Sequence, residues 1–269
     1  MAGQNKMKVS NLYKIKDKNL IVFDLDGTLI YSKSPMERDM SQLLSRLLAV
    51  KKVAIIGGGK YPIFQELFLK KLKCPKELLS NLFLFPTTST MFYRYNNGWK
   101  KIYALLLTKM EVVKIKKAFS EVFEEIGYKH PAKTYGEIIE NRGTQVSFSV
   151  YGQDLVKVLG RKGVKMKEEW LRDNLKTKMK IAKLVAKKLP GLEVRAAGFT
   201  TIDVTKRGID KAYGLRQIKN HLKIPINKML FVGDAIFPGG NDYAVVRTGV
   251  DYIPVRGPED TKNIIRQFL

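Results

Sequence analysis

Short apolar runs alternate with longer amphipathic stretches along the chain. Leu20-Ile21-Val22-Phe23, Lys52-Val53-Ala54-Ile55-Ile56 and Leu82 to Phe85 are β-branched or aromatic and read as buried strands. Helically spaced apolar residues from Met40 to Leu48 separate the first two. A further helix over Pro62 to Lys71, continued at Lys76 to Leu79, precedes the third. Ser34-Pro35-Met36-Glu37 predicts the first helix start, since proline suits the first turn and an acid suits the positive helix end. Strand, helix, strand alternation of this kind predicts a parallel sheet. Thr90 to Tyr95 and Trp99 to Tyr103, around Asn97-Gly98, predict a hairpin.

After residue 104 the pattern changes. Val112, Ile115, Phe119, Val122, Phe123 and Ile126 predict a helix over Lys109 to Ile126. Glu137 to Arg142 and Thr144 to Tyr151 predict two strands around Gly143. A helix from Lys167 to Leu189 stops at Pro190-Gly191, and strands over Leu192 to Ala196 and Thr201 to Thr205 follow. Val146, Phe148 and Val150 alternate with Gln145, Ser147 and Ser149, while Ile202 and Val204 alternate with Thr201, Asp203 and Thr205. The apolar set is expected under helices and the polar set on an open face. The parallel core then resumes with a helix from Asp210 to His221 and a strand from Lys228 to Val232. The expected class is α/β: a Rossmann-like parallel-sheet core of residues 1–104 and 207–269, interrupted by an α+β unit with an antiparallel sheet at 105–206.

Composition narrows the chemistry. A chain of 269 residues with 45% hydrophobic content can bury a sizeable core. Cys74 is the only cysteine, which excludes an intramolecular disulfide framework and a cysteine zinc cage. With two histidines, His130 and His221, any catalysis is expected to rest mainly on carboxylates, Lys and Arg, with or without a metal. The net charge of +24 is spread over many lysines, from Lys14 to Lys18, Lys70 to Lys76, Lys114 to Lys117 and Lys176 to Lys188. It reads as a solvated surface that attracts phosphorylated substrates, with nucleic-acid binding the lesser alternative. Met1 to Lys18 lacks the apolar core of a signal peptide, and no run reaches transmembrane length. A cytoplasmic protein without a membrane partner is expected.

Two acidic loops carry the candidate chemistry. The first strand runs into Asp24-Leu25-Asp26-Gly27-Thr28, which delivers two carboxylates at its carboxyl end. Ligands bind at that edge of open α/β sheets. Two negative charges there destabilise the fold unless a cation or hydrogen bonds offset them. The strand Met229 to Val232 likewise runs into Gly233-Asp234 and Pro238-Gly239-Gly240-Asn241-Asp242. Asp24, Asp26, Asp234 and Asp242 converge if the two strands are neighbours. An all-oxygen ligand set selects a hard cation, and Mg²⁺ is usual where phosphate is also bound.

These loops, with Lys211, resemble the ordered motifs of the haloacid dehalogenase superfamily, and the inserted unit resembles the cap of its type IIB members. Phe231-Val232-Gly233-Asp234, Pro238 to Tyr243, Glu140-Asn141-Arg142, Asp203-Val204 and Pro258-Glu259-Asp260-Thr261 are most similar to its eukaryotic-type phosphomannomutase subgroup. The resemblance implies that Asp24 attacks a phosphoryl group and that Asp26 serves as acid and base. It implies Mg²⁺ on Asp24, the Asp26 carbonyl and Asp234, with Asp242 in support and Lys211 balancing charge. Backbone amides at Asp26 and Gly57-Gly58 would cradle phosphate oxygens, with Thr28 and Asn241 in the phosphate and substrate set. Lys33 falls where the mutases have a core Arg. Arg142, Ser149, Thr201 and Asp203 fall where the cap reads phosphate and sugar hydroxyls.

Two departures bear on the activity. Gly57-Gly58-Gly59 lacks the hydroxyl usual after the second strand. Gln153 replaces a phosphate-reading Arg and cannot give its charge-assisted, bidentate hold, and Arg161 is a candidate for a second missing cap Arg. The resemblance therefore implies a Mg²⁺-dependent phosphatase or phosphotransferase for a phosphorylated sugar or similar small metabolite, working through an aspartyl phosphate. The alternative is interconversion of mannose 1-phosphate and mannose 6-phosphate. A homodimer is left open.

Overall fold

The computed structural model describes residues 17–269, so the polar stretch before residue 17, with Lys14, lies outside the described residues. The first buried run forms β1 (Leu20–Asp24), and α1 (Arg38–Val50) leads to β2 (Lys52–Ile56). A short helical stretch over 61–69, π-type from Phe64 to Leu69, precedes β3 (Leu82–Phe85). The hairpin β4 (Met91–Tyr95) and β5 (Trp99–Ala104) pairs antiparallel with β3. At the corner before it, Thr87, Thr88 and Ser89 all have positive φ. Such a conformation costs roughly 1–2 kcal/mol for each L-residue. It is held by Thr87 and Thr88 N–H donating to the carbonyls of Gly59 and Gly57, each at 2.9 Å.

The inserted unit comprises α2 (Lys109–Glu125), β6 (Ile139–Asn141), β7 (Gln145–Ser149), α3 (Leu155–Leu159), α4 (Arg161–Lys188), β8 (Leu192–Ala197) and β9 (Thr201–Lys206). The core resumes with α5 (Lys211–Leu222), β10 (Met229–Gly233), β11 (Asp251–Pro254) and α6 (Pro258–Arg266). Its seven-stranded sheet has the order β11-β10-β1-β2-β3-β4-β5, and the inserted sheet has the order β6-β7-β9-β8. Among the described residues no helix is long and apolar enough to cross a membrane.

Strand alternation explains the layers. Ile21 and Phe23 of β1 pack with Leu44 and Leu47 of α1 and Ile265 of α6. Leu20 and Val22 pack on the opposite face with Leu215 and Ile218 of α5. A central strand covered on both faces needs the continuous apolar run found here. In the inserted unit, Phe119 and Val122 of α2 and Ile181 and Val185 of α4 cover Val146, Phe148, Ile202 and Val204.

Two expectations are corrected. α4 begins at Arg161, not Lys167, and α3 precedes it. An irregular residue, Asn174 (φ −127°, ψ 19°), divides α4. The part beyond it supplies the buried Ile181, Ala182 and Val185, whereas the earlier part adds to that cluster only the half-buried Trp170 and so carries no full apolar stripe to reveal it. The polar sheet face is also not open: Gln145, Ser147, Ser149, Asp203 and Thr205 are all buried. The inserted unit closes on the core through Lys60 and Glu140, which form an ion pair, and through Arg142 Nη1, which donates to the Gly58 carbonyl at 3.1 Å.

Candidate active site

β1 and β10 are parallel neighbours, with Phe23 level with Val232. Asp24 and the loop carrying Asp234 and Asp242 therefore leave the sheet at one edge. Carboxylate oxygens of Asp24, Asp234 and Asp242 lie within 4.8 Å of one another. Asp210 caps α5 by accepting the Tyr213 N–H at 2.7 Å, so Lys211 is the first helical residue. Its ammonium donates to Asp24 Oδ1 at 2.6 Å and also to Asp242 Oδ1.

Small residues and turns make room for this cluster. Gly27 has φ 81°, and a Cβ there would sit 2.6 Å from Asp234 Oδ2. At Gly233 a Cβ would collide with the Asp242 carboxylate. Thr28 Oγ1 donates to Asp234 Oδ1 at 3.3 Å, and the Ala235 N–H donates to Asp242 Oδ2 at 3.1 Å.

The electrostatics are unbalanced. Burial pushes the Asp24 carboxyl well above the usual range, Asp242 and Asp234 add to this, and Lys211 opposes it. Burial and Asp242 likewise raise Asp234. Burial alone would lower Lys211, but Asp24 and Asp242 outweigh it and raise its pKa. Three buried or half-buried carboxylates thus share one lysine. A hard divalent cation, which takes oxygen ligands, fits both the donor set and the charge deficit.

Asp26 is set apart from the cluster. Its Oδ1 accepts the Lys33 N–H at 2.7 Å, and its carboxylate is not part of the group that the other three form. Any share in a metal set falls to its backbone carbonyl. The expected phosphate cradle is narrower than Gly57-Gly58, because the Gly57 N–H donates to the Phe85 carbonyl at 3.2 Å. Gly58 has open space around it.

On the inserted unit, Arg142 Nε donates to Glu140 Oε2 at 2.7 Å and Nη2 donates to Gln153 Oε1 at 2.9 Å. Gln153 Nε2 in turn donates to the Ser147 carbonyl at 2.9 Å. Burial would raise Glu140, but Lys60 and Arg142 outweigh it and lower its pKa. Ser147 Oγ donates to Asp203 Oδ1 at 2.6 Å, and burial raises Asp203 against the pull of Arg142. Ser149 does not present its hydroxyl to an open face; it donates to the Gly152 carbonyl at 2.9 Å and closes that turn. Thr201 is half-buried at the start of β9, while Asn241 and Arg161 are exposed.

Two buried lysines of the inserted unit were not singled out from sequence. Lys178 donates to the carbonyls of Ala197 (3.1 Å) and Gly198 (2.5 Å), and burial lowers it to about 8. Lys167 is 5% exposed, and its charged neighbours are Lys33, Asp26 and Arg142. Burial and then Lys33 lower it to about 7. Nothing distinguishes either from the solvated lysines around it along α4.

A doubly covered parallel sheet, two acidic loops at its carboxyl edge, a buried lysine between them and an inserted α+β unit define a class of hydrolytic α/β enzymes. The profile of the haloacid dehalogenase-like hydrolases matches residues 21–246, and the chain belongs to that family. It is 26% identical over 255 residues to the phosphomannomutase of Encephalitozoon cuniculi (strain GB-M1), covering 94% of each chain. It is 25% identical over 264 residues to phosphomannomutase 2 of Dictyostelium discoideum, covering 94% of this chain and 98% of that one. Its fold is shared with an N-terminally truncated Plasmodium falciparum IMP-nucleotidase (TM-score 0.68, 18% identity, 96% of this chain and 73% of that one). It is shared too with an Aspergillus fumigatus trehalose-6-phosphate phosphatase (TM-score 0.53, 18% identity, 96% and 95%).

Proposed function

We propose that the protein is a Mg²⁺-dependent phosphatase or phosphotransferase for a phosphorylated sugar or similar small metabolite. The observation that carries this reading is the buried cluster of Asp24, Asp234 and Asp242 around Lys211 at the edge of two adjacent strands. Asp24, Asp234 and the Asp26 carbonyl would hold Mg²⁺, with Asp242 in support; when bound, the ion neutralises charge on the phosphoryl oxygens. Asp24 attacks phosphorus and forms an aspartyl phosphate as the ester oxygen leaves. Asp26 gives that oxygen its proton, then takes one from the incoming water. Lys211 opposes the effect of burial on Asp24 and aims its carboxyl group, and the Gly58 turn faces the phosphoryl oxygens.

Residues 105–206 act as the cap and residues 1–104 and 207–269 as the catalytic core of a cytoplasmic enzyme. Asp203 and Thr201 read substrate hydroxyls. Arg142 is already engaged by Glu140, Gly58 and Gln153, which favours water as acceptor over a reoriented bisphosphate. Mutase activity is the second reading, favoured by the phosphomannomutase relatives. Mannose 1-phosphate, supplied with and without a hexose bisphosphate, separates the two. Steady phosphate release supports the hydrolase; mannose 6-phosphate formed without release overturns it.

A further inference from the structure

Three consecutive residues before β4, Thr87, Thr88 and Ser89, stand at φ 48°, 54° and 70°. Threonine is β-branched and avoids that region, so such a run persists only where its surroundings hold it. The holding contacts lead to the candidate phosphate turn. The Thr88 N–H donates to the Gly57 carbonyl and the Thr87 N–H to the Gly59 carbonyl, each at 2.9 Å. A trans peptide places its C=O and the following N–H on opposite sides. Anchoring the Gly57 carbonyl on Thr88 therefore aims the Gly58 N–H away from the corner. Among the described residues that N–H meets no backbone acceptor, and Gly58 has open space around it. The corner thus orients a free donor.

The inserted unit in turn braces the corner. The chain leaves the core at 105–107, where the Leu105 N–H donates to the Thr90 carbonyl and the Leu107 N–H to the Gly143 carbonyl, each at 2.9 Å. That crossing brings Thr144, just ahead of β7, onto the corner. The Thr90 hydroxyl donates to Thr144 Oγ1 at 2.6 Å, and Thr87 Oγ1 lies 2.5 Å from Thr90 Oγ1 and 3.1 Å from Thr144 Oγ1. All three threonines are fully buried, so a hydroxyl that loses its partner has no solvent to replace it. From the other side α5 packs so closely that a Cβ on Gly214 would sit 2.2 Å from Ser89 Oγ.

We propose that Thr144 is a positioning residue for the phosphate turn: through Thr87 and Thr90 it holds the strained corner that aims the Gly58 N–H at a phosphoryl oxygen. This rests on the proposed function and goes beyond it, because it makes phosphate binding in the core depend on a hydroxyl of the inserted unit.

Binding of inorganic phosphate in saturating Mg²⁺, followed by ³¹P NMR titration, tests this. Thr144→Val keeps the branched shape and deletes the hydroxyl. It should weaken phosphate about 2- to 10-fold, the worth of one hydrogen bond, while Mg²⁺ binding measured by calorimetry without phosphate stays as in the wild type. Thr144→Ser, which keeps the hydroxyl, should restore most of the affinity. Thr90→Val removes the same contact from the core side and should weaken phosphate to a similar extent, which decides the matter if Thr144→Val does not fold. Unchanged phosphate affinity in the valine variants, an equal loss of Mg²⁺ affinity, no rescue by serine, or a wild type that binds no phosphate overturns the proposal. No turnover is read, so unchanged affinity in the valine variants leaves the hydrolase reading standing; that reading fails separately if Asp24→Asn still hydrolyses an ester.

Discussion

Removing Lys211 should expose how far its single charge holds the acidic cluster together. Lys211→Met keeps the length of the side chain but deletes both contacts, to Asp24 and to Asp242. Carboxylate oxygens within 4.8 Å of one another then face each other without a counter-charge. At such a separation two like charges repel by ~3–4 kcal/mol with an effective dielectric of about 20. Loss of one partner from a buried ion pair typically destabilises by about 3–5 kcal/mol. We expect a loss of that size at neutral pH in EDTA, measured by urea unfolding followed by tryptophan fluorescence. Asp24 and Asp234 already have carboxyls raised above 3.8 in the folded state. A raised carboxyl adds stability that is fully present below its unfolded value and lost as pH rises through the folded value. Removing Lys211 raises them further, so the deficit should narrow as pH falls from neutral toward the acid range. Millimolar Mg²⁺ should also narrow it. A deficit below about 1 kcal/mol, against the ~3–5 kcal/mol expected for a broken buried pair, or one unchanged by pH, would refute the reasoning.

Two further expectations follow from single side chains. Lys178 is held near 8 instead of 10.5, so the folded state sheds its proton first and the wild type gains stability as pH rises across that interval. Thermal melts over the interval should show this gain in the wild type and lose it in Lys178→Met. Gly27→Ala places a methyl group 2.6 Å from Asp234 Oδ2 at φ 81°. It should destabilise by ~1–3 kcal/mol from strain at a left-handed position, and weaken Mg²⁺ binding measured by calorimetry.

Much of this was legible because strands of a doubly covered sheet must be continuously apolar. Lys52–Ile56 and Leu82–Phe85 end where their apolar runs end. The convergence of Asp24 and Asp234 was legible only through the family resemblance, since it depends on β1 and β10 being neighbours, a long-range pairing that no local pattern encodes. Alternation assigned Ser147 and Ser149 to one face but could not tell that Ser147 holds Asp203 while Ser149 closes a turn. The buried state of that face arises from closure onto the core, through Glu140 and Arg142, and leaves no periodic trace. Lys167 was hidden for a different reason: in a chain rich in solvated lysines, a buried one on an overhanging helix has no distinguishing neighbours in sequence.

The central claim is that Asp24 carries the phosphoryl group. Enzyme mixed with a phosphate ester that it turns over, quenched in acid within one turnover and digested, allows the modified peptide to be weighed and sequenced. One added phosphoryl group on Asp24, absent from Asp24→Asn, is the predicted result. Turnover by Asp24→Asn, or a phosphoryl group on another residue, would contradict it.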